Sequence, residues 1–385
     1  MEKIRYAWAE INLDALGHNM REIKKASKSE EIMAVVKADA YGHGAVDVAP
    51  VLLENGATSL AVAVITEALE LRMEGIKAPI MILGHTPLEY AEELVAYDIQ
   101  QTVFSYEYAK ELSKEAQKQN KKVKVHIALD TGMGRIGFLP EEECIGEILA
   151  ISKLPNVSIM GIFSHFSSAD EEDKSYTKEQ LQKFLSFTKK LKEKGINPRI
   201  LHIANSAAII DLPDTHFQEV RPGIILYGYL PSKEVNREVL DLKPVLTLKA
   251  KIVHIKTLEK DMFISYGRTF KTERKSIIAT LPLGYADGYT RLLTNKAMAI
   301  AGGKLVPVVG RICMDQCMLD ITEVPSLKVG DEVILLGEDK GVHFNADDMA
   351  EHLGTINYEV LCMIGSRVPR VYIKDGKTVK IRNYI

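Results

Sequence analysis

Short apolar segments alternate with longer amphipathic segments from Ile32 to Gly228. The apolar segments are rich in β-branched residues, and most of the intervals between them can hold a crossover helix, which is the pattern of βα units. Eight such segments occur, at residues 32–36, 59–64, 79–83, 101–105, 123–129, 157–164, 199–204 and 219–226. We therefore predict an α/β fold in which a closed, TIM-type (β/α)8 barrel comes first, with a clear helix between residues 175 and 195.

The pattern changes after Tyr229, where apolar and polar residues begin to alternate with a period of two, as at residues 246–253. This alternation is typical of strands with one buried face. We expect the barrel to span residues 12–235 and a mainly β C-terminal domain to span residues 236–385. The N-terminal segment 1–11 is expected to add a strand to that second domain. Asn345 is positioned to cap a helix over residues 346–353.

Composition and charge restrict the partners. With 46% hydrophobic and 26% charged residues, the chain can fill more than one core and is not expected to be disordered. Its 49 basic and 52 acidic residues give a net charge of −3, so no overall positive field exists to attract nucleic acid or an anionic membrane. We expect a small-molecule ligand, no nucleic acid and no membrane partner.

The cysteines and the N-terminus indicate the compartment. Four cysteines without C-x-x-C spacing form neither a disulfide framework nor a recognisable metal site, which favours a reducing environment. The charged N-terminal segment does not resemble a secretory signal, and no apolar segment is long enough to cross a bilayer. A cytoplasmic protein without a metal site is expected.

Chemically useful side chains follow the predicted strands, where barrel enzymes place their active sites. Lys37 lies between the first apolar segment and a glycine-bearing loop that also contains Tyr41. A desolvated lysine favours the neutral amine, which can attack a carbonyl. A lone lysine at a strand end more often extends into solvent, so Lys37 alone does not establish a site.

Further polar residues occupy the later strand ends. They are Arg135 after the fifth segment, His165 after the sixth, Asn205 and Ser206 after the seventh, and Arg221 with Gly223 in the eighth. Together they offer cations, a hydroxyl group and, at Gly223, a backbone without a side chain that can approach an anion closely. This set of groups is suited to holding a phosphorylated aldehyde.

Five motifs in both predicted domains identify a family. They are AVVKADAYGHG at residues 34–44, DTGMGRIG at 130–137, VRPG at 220–223, SYGR at 265–268 and GRICMD at 310–315. With these motifs the chain resembles the alanine racemases, pyridoxal-phosphate enzymes of the barrel type (fold type III), over nearly its whole length. Their number and order make the resemblance specific.

The resemblance implies how pyridoxal 5'-phosphate would be held. Lys37 is implied to bind the cofactor as a Schiff base, and Arg221 to face its pyridine nitrogen. A guanidinium stays protonated and cannot give its proton to that nitrogen, so the cofactor withdraws electrons less strongly, which favours prompt return of the α-proton. The remaining implied cofactor-binding residues are Tyr41, His165, Asn205, Ser206, Gly223, Ile224 and Tyr358.

The resemblance also implies a two-base reaction in a homodimer with shared active sites. Lys37 and Tyr266 would exchange protons on opposite faces of the alanine Cα. The substrate carboxylate would meet the backbone N–H of Met314, with Arg135 nearby and Tyr285 close to the substrate. Tyr266 and Met314 would reach the partner subunit's cofactor. The implied role is to supply D-alanine for peptidoglycan.

One departure and several alternatives remain. Many family members have a carbamylated lysine seven positions before Arg135, but this chain has Ala128 there. A racemase acting on serine or on a broad range of amino acids would use the same scaffold. A barrel-type decarboxylase is disfavoured because it would place an acidic residue where Arg221 stands. A single-domain pyridoxal-phosphate carrier would lack the residues after Tyr229.

Overall fold

The computed structural model describes residues 4–384 and divides into two compact units. Leu16–Ala40 and Ala45–Lys243 form one, called here the barrel unit. Met1–Ala15, Tyr41–Gly44 and Pro244–Ile385 form the other, called the β unit. The limits 12–235 and 236–385 stay predictions, and residues 1–3 of the segment 1–11 lie outside the described residues.

Strands and helices alternate through the first part of the chain. The strands are β1 (Ala7–Asn12), β2 (Glu31–Val35), β3 (Ser59–Val62), β4 (Ile80–Ile82), β5 (Gln100–Val103), β6 (Val123–Ala128), β7 (Val157–Phe163), β8 (Ile200–His202) and β9 (Glu219–Val220). The helices are α1 (Leu13–Ala26), α2 (Lys37–Gly42), α3 (Ala45–Glu54), α4 (Ile65–Met73), α5 (Ala91–Ala96), α6 (Tyr106–Lys118), α7 (Glu142–Ser152), α8 (Ser175–Glu193) and α9 (Ser206–Asp211).

Strands β2–β9 form a parallel sheet in the order β8-β7-β6-β5-β4-β3-β2-β9. The two edge strands of this sheet, β8 and β9, are linked by backbone hydrogen bonds at and beside them. Gln218 N–H donates to the Leu201 carbonyl oxygen (3.2 Å), and Arg221 N–H donates to the Ala204 carbonyl oxygen (3.0 Å). The sheet is therefore a nearly closed eight-stranded barrel, and the predicted barrel is confirmed.

Two local predictions have different outcomes. The helix expected between residues 175 and 195 is confirmed as α8, whose Phe184 and Phe187 are buried and which is followed by Gly195 at φ +89°. The eighth strand is shorter than the predicted 219–226, because β9 ends at Val220 and a 3-10 turn spans Ile224–Tyr227. Pro222 has no N–H to extend the strand ladder.

The β unit is built on one large sheet. Its later strands are β10 (Leu246–Lys251), β11 (His254–Leu258), β12 (Phe263–Ile264), β13 (Phe270–Lys271), β14 (Ser276–Leu281), β15 (Met298–Ala301), β16 (Lys304–Pro307), β17 (Cys317–Asp320), β18 (Glu332–Asp339), β19 (Val342–Phe344), β20 (Arg370–Lys374) and β21 (Lys377–Arg382). Its helices are α10 (Ala346–Leu353), capped by Asn345 as predicted, and α11 (Asn357–Cys362).

The large sheet has the order β16-β15-β18-β10-β1-β20-β21, with β19 paired to β18. Strand β1 lies between β10, with which it is antiparallel, and β20, with which it is parallel. Smaller sheets join β11, β14 and β17, and β12 and β13. The predicted mainly β C-terminal domain is confirmed. Within residues 4–384, every helix is too short or too polar to cross a membrane.

A buried arginine organises the core of the β unit. Arg370 is 2% exposed, and its guanidinium donates to the carbonyl oxygens of Gly42 (2.9 Å), Ile364 (2.7 Å), Gly365 (2.7 Å) and Val368 (2.5 Å). A Cβ on Gly42 would lie 2.7 Å from the carbonyl oxygen of Leu361, so only glycine fits there. Arg370 thus ties the short Tyr41–Gly44 segment to the rest of this unit.

We expect Arg370→Leu to destabilise the protein by about 3 kcal/mol or more, because it leaves several buried carbonyl groups without a donor. Arg274→Leu is the matched control, since within residues 4–384 the Arg274 side chain forms only an exposed ion pair with Glu323, and this substitution should change stability by less than about 1 kcal/mol. Thermal unfolding followed by circular dichroism compares the two variants. Equal melting temperatures for both would contradict the role assigned to Arg370.

Candidate active site

The barrel unit presents its polar residues after the strands, as predicted. Lys37 follows β2 by two positions and is half-buried. His165 follows β7, and Arg221 follows β9 directly. The charge of Lys37 acts on His165, which in turn accepts a hydrogen bond from Arg221 at 3.3 Å. The structure therefore brings the lysine, the histidine and the arginine to one end of the barrel.

Lys37 begins α2 (Lys37–Gly42), which is a left-handed turn that the sequence did not predict. Ala38, Asp39, Ala40 and Tyr41 have φ values of 54°, 51°, 55° and 54°. A Cβ disfavours this conformation by about 1–2 kcal/mol per residue. Four consecutive non-glycine residues in this region persist only where other parts of the chain hold them, and such strain is concentrated at functional sites.

Arg221 is buried in the barrel, with 3% of its surface exposed. One terminal nitrogen donates to Nδ1 of His202 (2.9 Å), and the other donates to the carbonyl oxygen of Ser164 (2.8 Å) and to Nδ1 of His165. Burial lowers the pKa of Arg221 to about 10, which leaves the guanidinium charged at neutral pH. Within residues 4–384 no hydrogen bond uses its Nε–H.

A chain of neutral histidines extends from Arg221 into the barrel. Because arginine only donates, Nδ1 of His202 must accept and its proton must lie on Nε2. That nitrogen is 2.9 Å from Nδ1 of His126, whose Nε2 is 2.7 Å from Oε1 of Gln100. Burial, together with the charge of Arg221, lowers the pKa of His126 to about 3 and that of His202 well below its usual value.

His165 is also neutral. Burial and the charges of Arg221, Arg135 and Lys37 lower its pKa to about 3. It therefore acts as an acceptor for Arg221 and contributes no positive charge at neutral pH. Arg221 is the cation around which these imidazoles are arranged.

The residues expected at the phosphate group fall into both units. In the barrel unit, Asn205 caps α9 by accepting from Ala208 N–H (3.1 Å), and the Ser206 hydroxyl oxygen accepts from Gly223 N–H (2.9 Å), directly before buried Ile224. In the β unit, the rings of Tyr41 and Tyr358 lie with their centroids 6.1 Å apart. Burial raises the pKa of Tyr41, so its hydroxyl remains a hydrogen-bond donor.

Arg135 lies on an exposed loop after β6. The loop returns to the barrel through the hydrogen bond from Phe138 N–H to the carbonyl oxygen of buried Ala128 (2.8 Å). Asp130 accepts from the N–H groups of Gly132 and Gly134, both at 3.0 Å. In the described part of the chain, the Arg135 side chain itself has no hydrogen bond.

The β unit holds Tyr266, Met314 and Tyr285 on neighbouring loops. Tyr285 N–H donates to the carbonyl oxygen of Cys313 (3.1 Å), next to Met314. Ser265, directly before Tyr266, donates its hydroxyl to the carbonyl oxygen of Arg311 (2.5 Å). Tyr266, Met314 and Tyr285 are 69%, 53% and 41% exposed, so these neighbouring loops present three large, partly apolar side chains at the surface.

Several residues that support the site were not predicted from the sequence. His126 and His202 lie within predicted strands that are otherwise mainly apolar, and Gln100 directly precedes the predicted strand 101–105. His202 lies within the seventh predicted strand, and a polar residue inside a barrel strand is a sequence feature that could have indicated a buried polar contact. Glu67, whose carboxylate accepts from Ala38 N–H (2.6 Å), carried no recognisable sequence signal.

Comparison with known proteins agrees with these features. The model of the alanine racemase N-terminal domain matches residues 11–231, and that of the alanine racemase C-terminal domain matches residues 245–372. Alanine racemase 1 of Clostridium acetobutylicum is 63% identical over 382 residues, covering 99% of each chain.

Solved structures show the same architecture. The alanine racemase of Clostridium difficile 630 is 46% identical, with a TM-score of 0.95 and 98% of each chain covered. A histidine racemase from Leuconostoc mesenteroides is 29% identical, with a TM-score of 0.88 and coverage of 96% of this chain and 98% of that one. With both domain models matched in order and a full-length relative at 63% identity, the chain belongs to the alanine racemase family.

Proposed function

We propose that the protein interconverts L-alanine and D-alanine with pyridoxal 5'-phosphate as its cofactor. The observation that carries the proposal is the buried, charged Arg221, whose Nε–H is not used by any hydrogen bond within residues 4–384. This N–H suits an unprotonated ring nitrogen, which is an acceptor. The donor set of the barrel unit therefore fits the cofactor that the family is known for.

Different residues would hold the aldehyde carbon, the ring nitrogen and the phosphate group of this cofactor. Lys37 would bind its aldehyde carbon and Arg221 its ring nitrogen. Ser206, Gly223, Ile224, Tyr41 and Tyr358 would hold its phosphate, with Asn205 and His165 as further contacts. When bound, the cofactor would supply the electron withdrawal that makes the α-proton of the substrate acidic.

Arg221 directs the chemistry toward racemisation. A guanidinium holds its proton far more firmly than a carboxylic acid does, so it stabilises less negative charge on a bound ring. The neighbouring imidazoles of His165 and His202 are neutral and offer no alternative proton source at neutral pH. Return of a proton to the substrate Cα is then favoured over transamination.

Two residues would move the proton. Tyr266 would take the α-proton from L-alanine, and Lys37 would deliver a proton to the opposite face, with the roles reversed for D-alanine. The Met314 N–H and the Arg135 side chain, neither of which has a hydrogen bond within the described residues, would bind the substrate carboxylate. These assignments are supported by the family membership and by the availability of both donors.

We further propose a homodimer in which Tyr266 and Met314 serve the partner subunit's site. The exposure of Tyr266, Met314 and Tyr285 on adjoining loops supports this, because large exposed groups that lie together, unlike single ones, mark an interface or a ligand site. D-alanine made in the cytoplasm would supply peptidoglycan synthesis. The four free thiols of the chain suit that reducing compartment.

Substrate choice needs a direct test, since the related histidine racemase has the same fold. Tyr285 and Tyr358 are expected to narrow the entrance and favour a small side chain. In a panel of L-amino acids, racemisation of alanine should be fastest, and Lys37→Ala should abolish it. Lys124→Ala, a partly exposed residue paired with Asp98, is the matched control and should keep full activity.

Borohydride reduction of the holoenzyme followed by peptide mapping completes this test. A pyridoxyl group should be found on Lys37. The same label on a different lysine would refute the cofactor assignment. Faster racemisation of serine or of larger amino acids would instead replace alanine as the substrate while leaving the site intact.

Tyr266→Ala should slow α-deuterium exchange from L-alanine by a factor on the order of 100 or more, because general acid–base catalysis contributes about that much. Exchange from D-alanine, which starts at Lys37, should fall much less. Tyr6→Ala removes another exposed tyrosine of the β unit and serves as the control. Equal losses for the two enantiomers in Tyr266→Ala would count against the division of roles.

Mixed dimers test the shared site. Lys37→Ala and Tyr266→Ala homodimers should each be nearly inactive, whereas a mixed dimer has both lesions in one site and leaves the other intact. Random reassortment makes half of the dimers mixed, so about a quarter of wild-type activity should return after co-refolding. Verified mixed dimers without activity would show that Tyr266 does not act across the interface.

A further inference from the structure

The left-handed turn after Lys37 needs an external support. Its first N–H groups, like those at the start of any helix, have no partner within the turn. Its residues Ala38, Asp39 and Ala40 also lie in a region that a Cβ disfavours. The side-chain direction of Lys37 therefore depends on whatever fixes the start of this turn.

The carboxylate of Glu67 provides that support within the barrel unit. Glu67 lies in the first turn of α4, and its Oε1 accepts from Ala38 N–H at 2.6 Å. Its Oε2 accepts from Ala63 N–H at 2.8 Å and from Val64 N–H at 3.3 Å. One side chain thus joins the segment after β2 to the segment after β3.

A carboxylate is the group these contacts require. All three partners are N–H donors, and only an ionised carboxylate offers acceptors on both oxygens. Val64 has no polar side chain with which to cap α4, so Glu67 also satisfies the start of its own helix. A glutamine could serve one side of this junction and would place an N–H₂ group against a donor on the other.

We propose that Glu67 is a positioning residue for Lys37, holding the left-handed turn so that the lysine side chain leaves the barrel in one fixed direction. The inference rests on the proposed function, in which Lys37 binds the cofactor. Asp39 secures the far side of the same turn, where its Oδ1 accepts from Ala45 N–H at 2.7 Å. At the near side, Glu67 is the side chain that links the Ala38 N–H to the segment after β3.

The test compares Glu67→Gln with two controls. Glu74→Gln removes an exposed carboxylate at the C-terminal end of the same helix, and Ser105→Ala removes a helix cap after β5, where Ser105 accepts from Tyr108 N–H at 3.3 Å. The first control reports a general effect of charge, and the second reports a general effect of losing a cap.

Two measurements follow the turn and the cofactor separately. Amide hydrogen exchange read by mass spectrometry on a peptide covering residues 37–44 reports the turn in the apoenzyme and in the holoenzyme. Loss of the visible absorbance of bound cofactor in hydroxylamine reports how well Lys37 is held. Glu67→Gln should raise both rates on the order of tenfold, because it removes a charge-assisted hydrogen bond, while neither control should change them.

A second substitution separates the effect of the turn's conformation from the effect of the Glu67 charge. Ala38 is exposed, and glycine adopts its φ of 54° without a Cβ penalty, so Ala38→Gly should restore much of the wild-type behaviour in the Glu67→Gln background. Glu67→Asp keeps the charge but shortens the reach, and should change both rates in the same direction as Glu67→Gln. It also provides the test if Glu67→Gln does not fold.

The outcomes decide between the two proposals. Wild-type exchange and wild-type cofactor loss in Glu67→Gln, with the label still on Lys37, would overturn the role of Glu67 and leave the proposed function standing. Failure of Ala38→Gly to rescue, or wild-type behaviour of Glu67→Asp, would show that charge rather than position matters and would also overturn it. If wild-type protein is not labelled on Lys37, the proposed function fails, while the exchange measurement still reports on the turn.

Discussion

The permanent charge of Arg221 is the constraint to which the interior of the barrel is adapted. A buried guanidinium is costly unless its donors are satisfied and its charge is compensated. Its terminal nitrogens donate to His202 and to the Ser164 carbonyl, and its cationic carbon lies 5.4 Å from the centroid of the Phe163 ring. The histidines accept because burial beside a cation keeps them neutral. The direction of the whole hydrogen-bond chain, as far as Gln100, follows from this one donor.

Glu219 belongs to the same electrostatic arrangement. It precedes Arg221 by two residues, and the charge of each group acts on the other. Ser59 donates to one of its oxygens at 2.8 Å, and the other oxygen has no hydrogen bond within the described residues. Burial raises the pKa of Glu219 to about 7 although Arg221 acts to lower it. At neutral pH the carboxyl group therefore neutralises the charge of Arg221 only in part. The remaining positive charge of the arginine can act on a ligand.

The fold, and the positions of three polar residues after barrel strands, were predictable because they depend on short-range patterns. Alternation of apolar and amphipathic segments predicted the barrel, and the strand ends predicted Lys37, His165 and Arg221. The turn after Lys37 was not predictable, since alanine and tyrosine disfavour a left-handed conformation and aspartate adopts it only as an occasional single residue. Contacts of high sequence separation impose it, namely Glu67 at its start and Arg370 at the Gly42 carbonyl. The histidine chain likewise required knowledge of which strands meet when the barrel closes.

The two proposed proton carriers share a structural feature that reaches beyond their chemistry. Lys37 is followed by Ala38 at φ +54°, and Tyr266 is preceded by Ser265 at φ +65° and ψ −174°, a region occupied almost only by glycine. Glycine at position 265 would remove the strain but also the hydroxyl that binds the Arg311 carbonyl. In both places a polar side chain holds a backbone that would otherwise relax. A strained segment held by polar contacts has few alternative positions while those contacts persist, which is what a group that must meet one face of a substrate carbon requires.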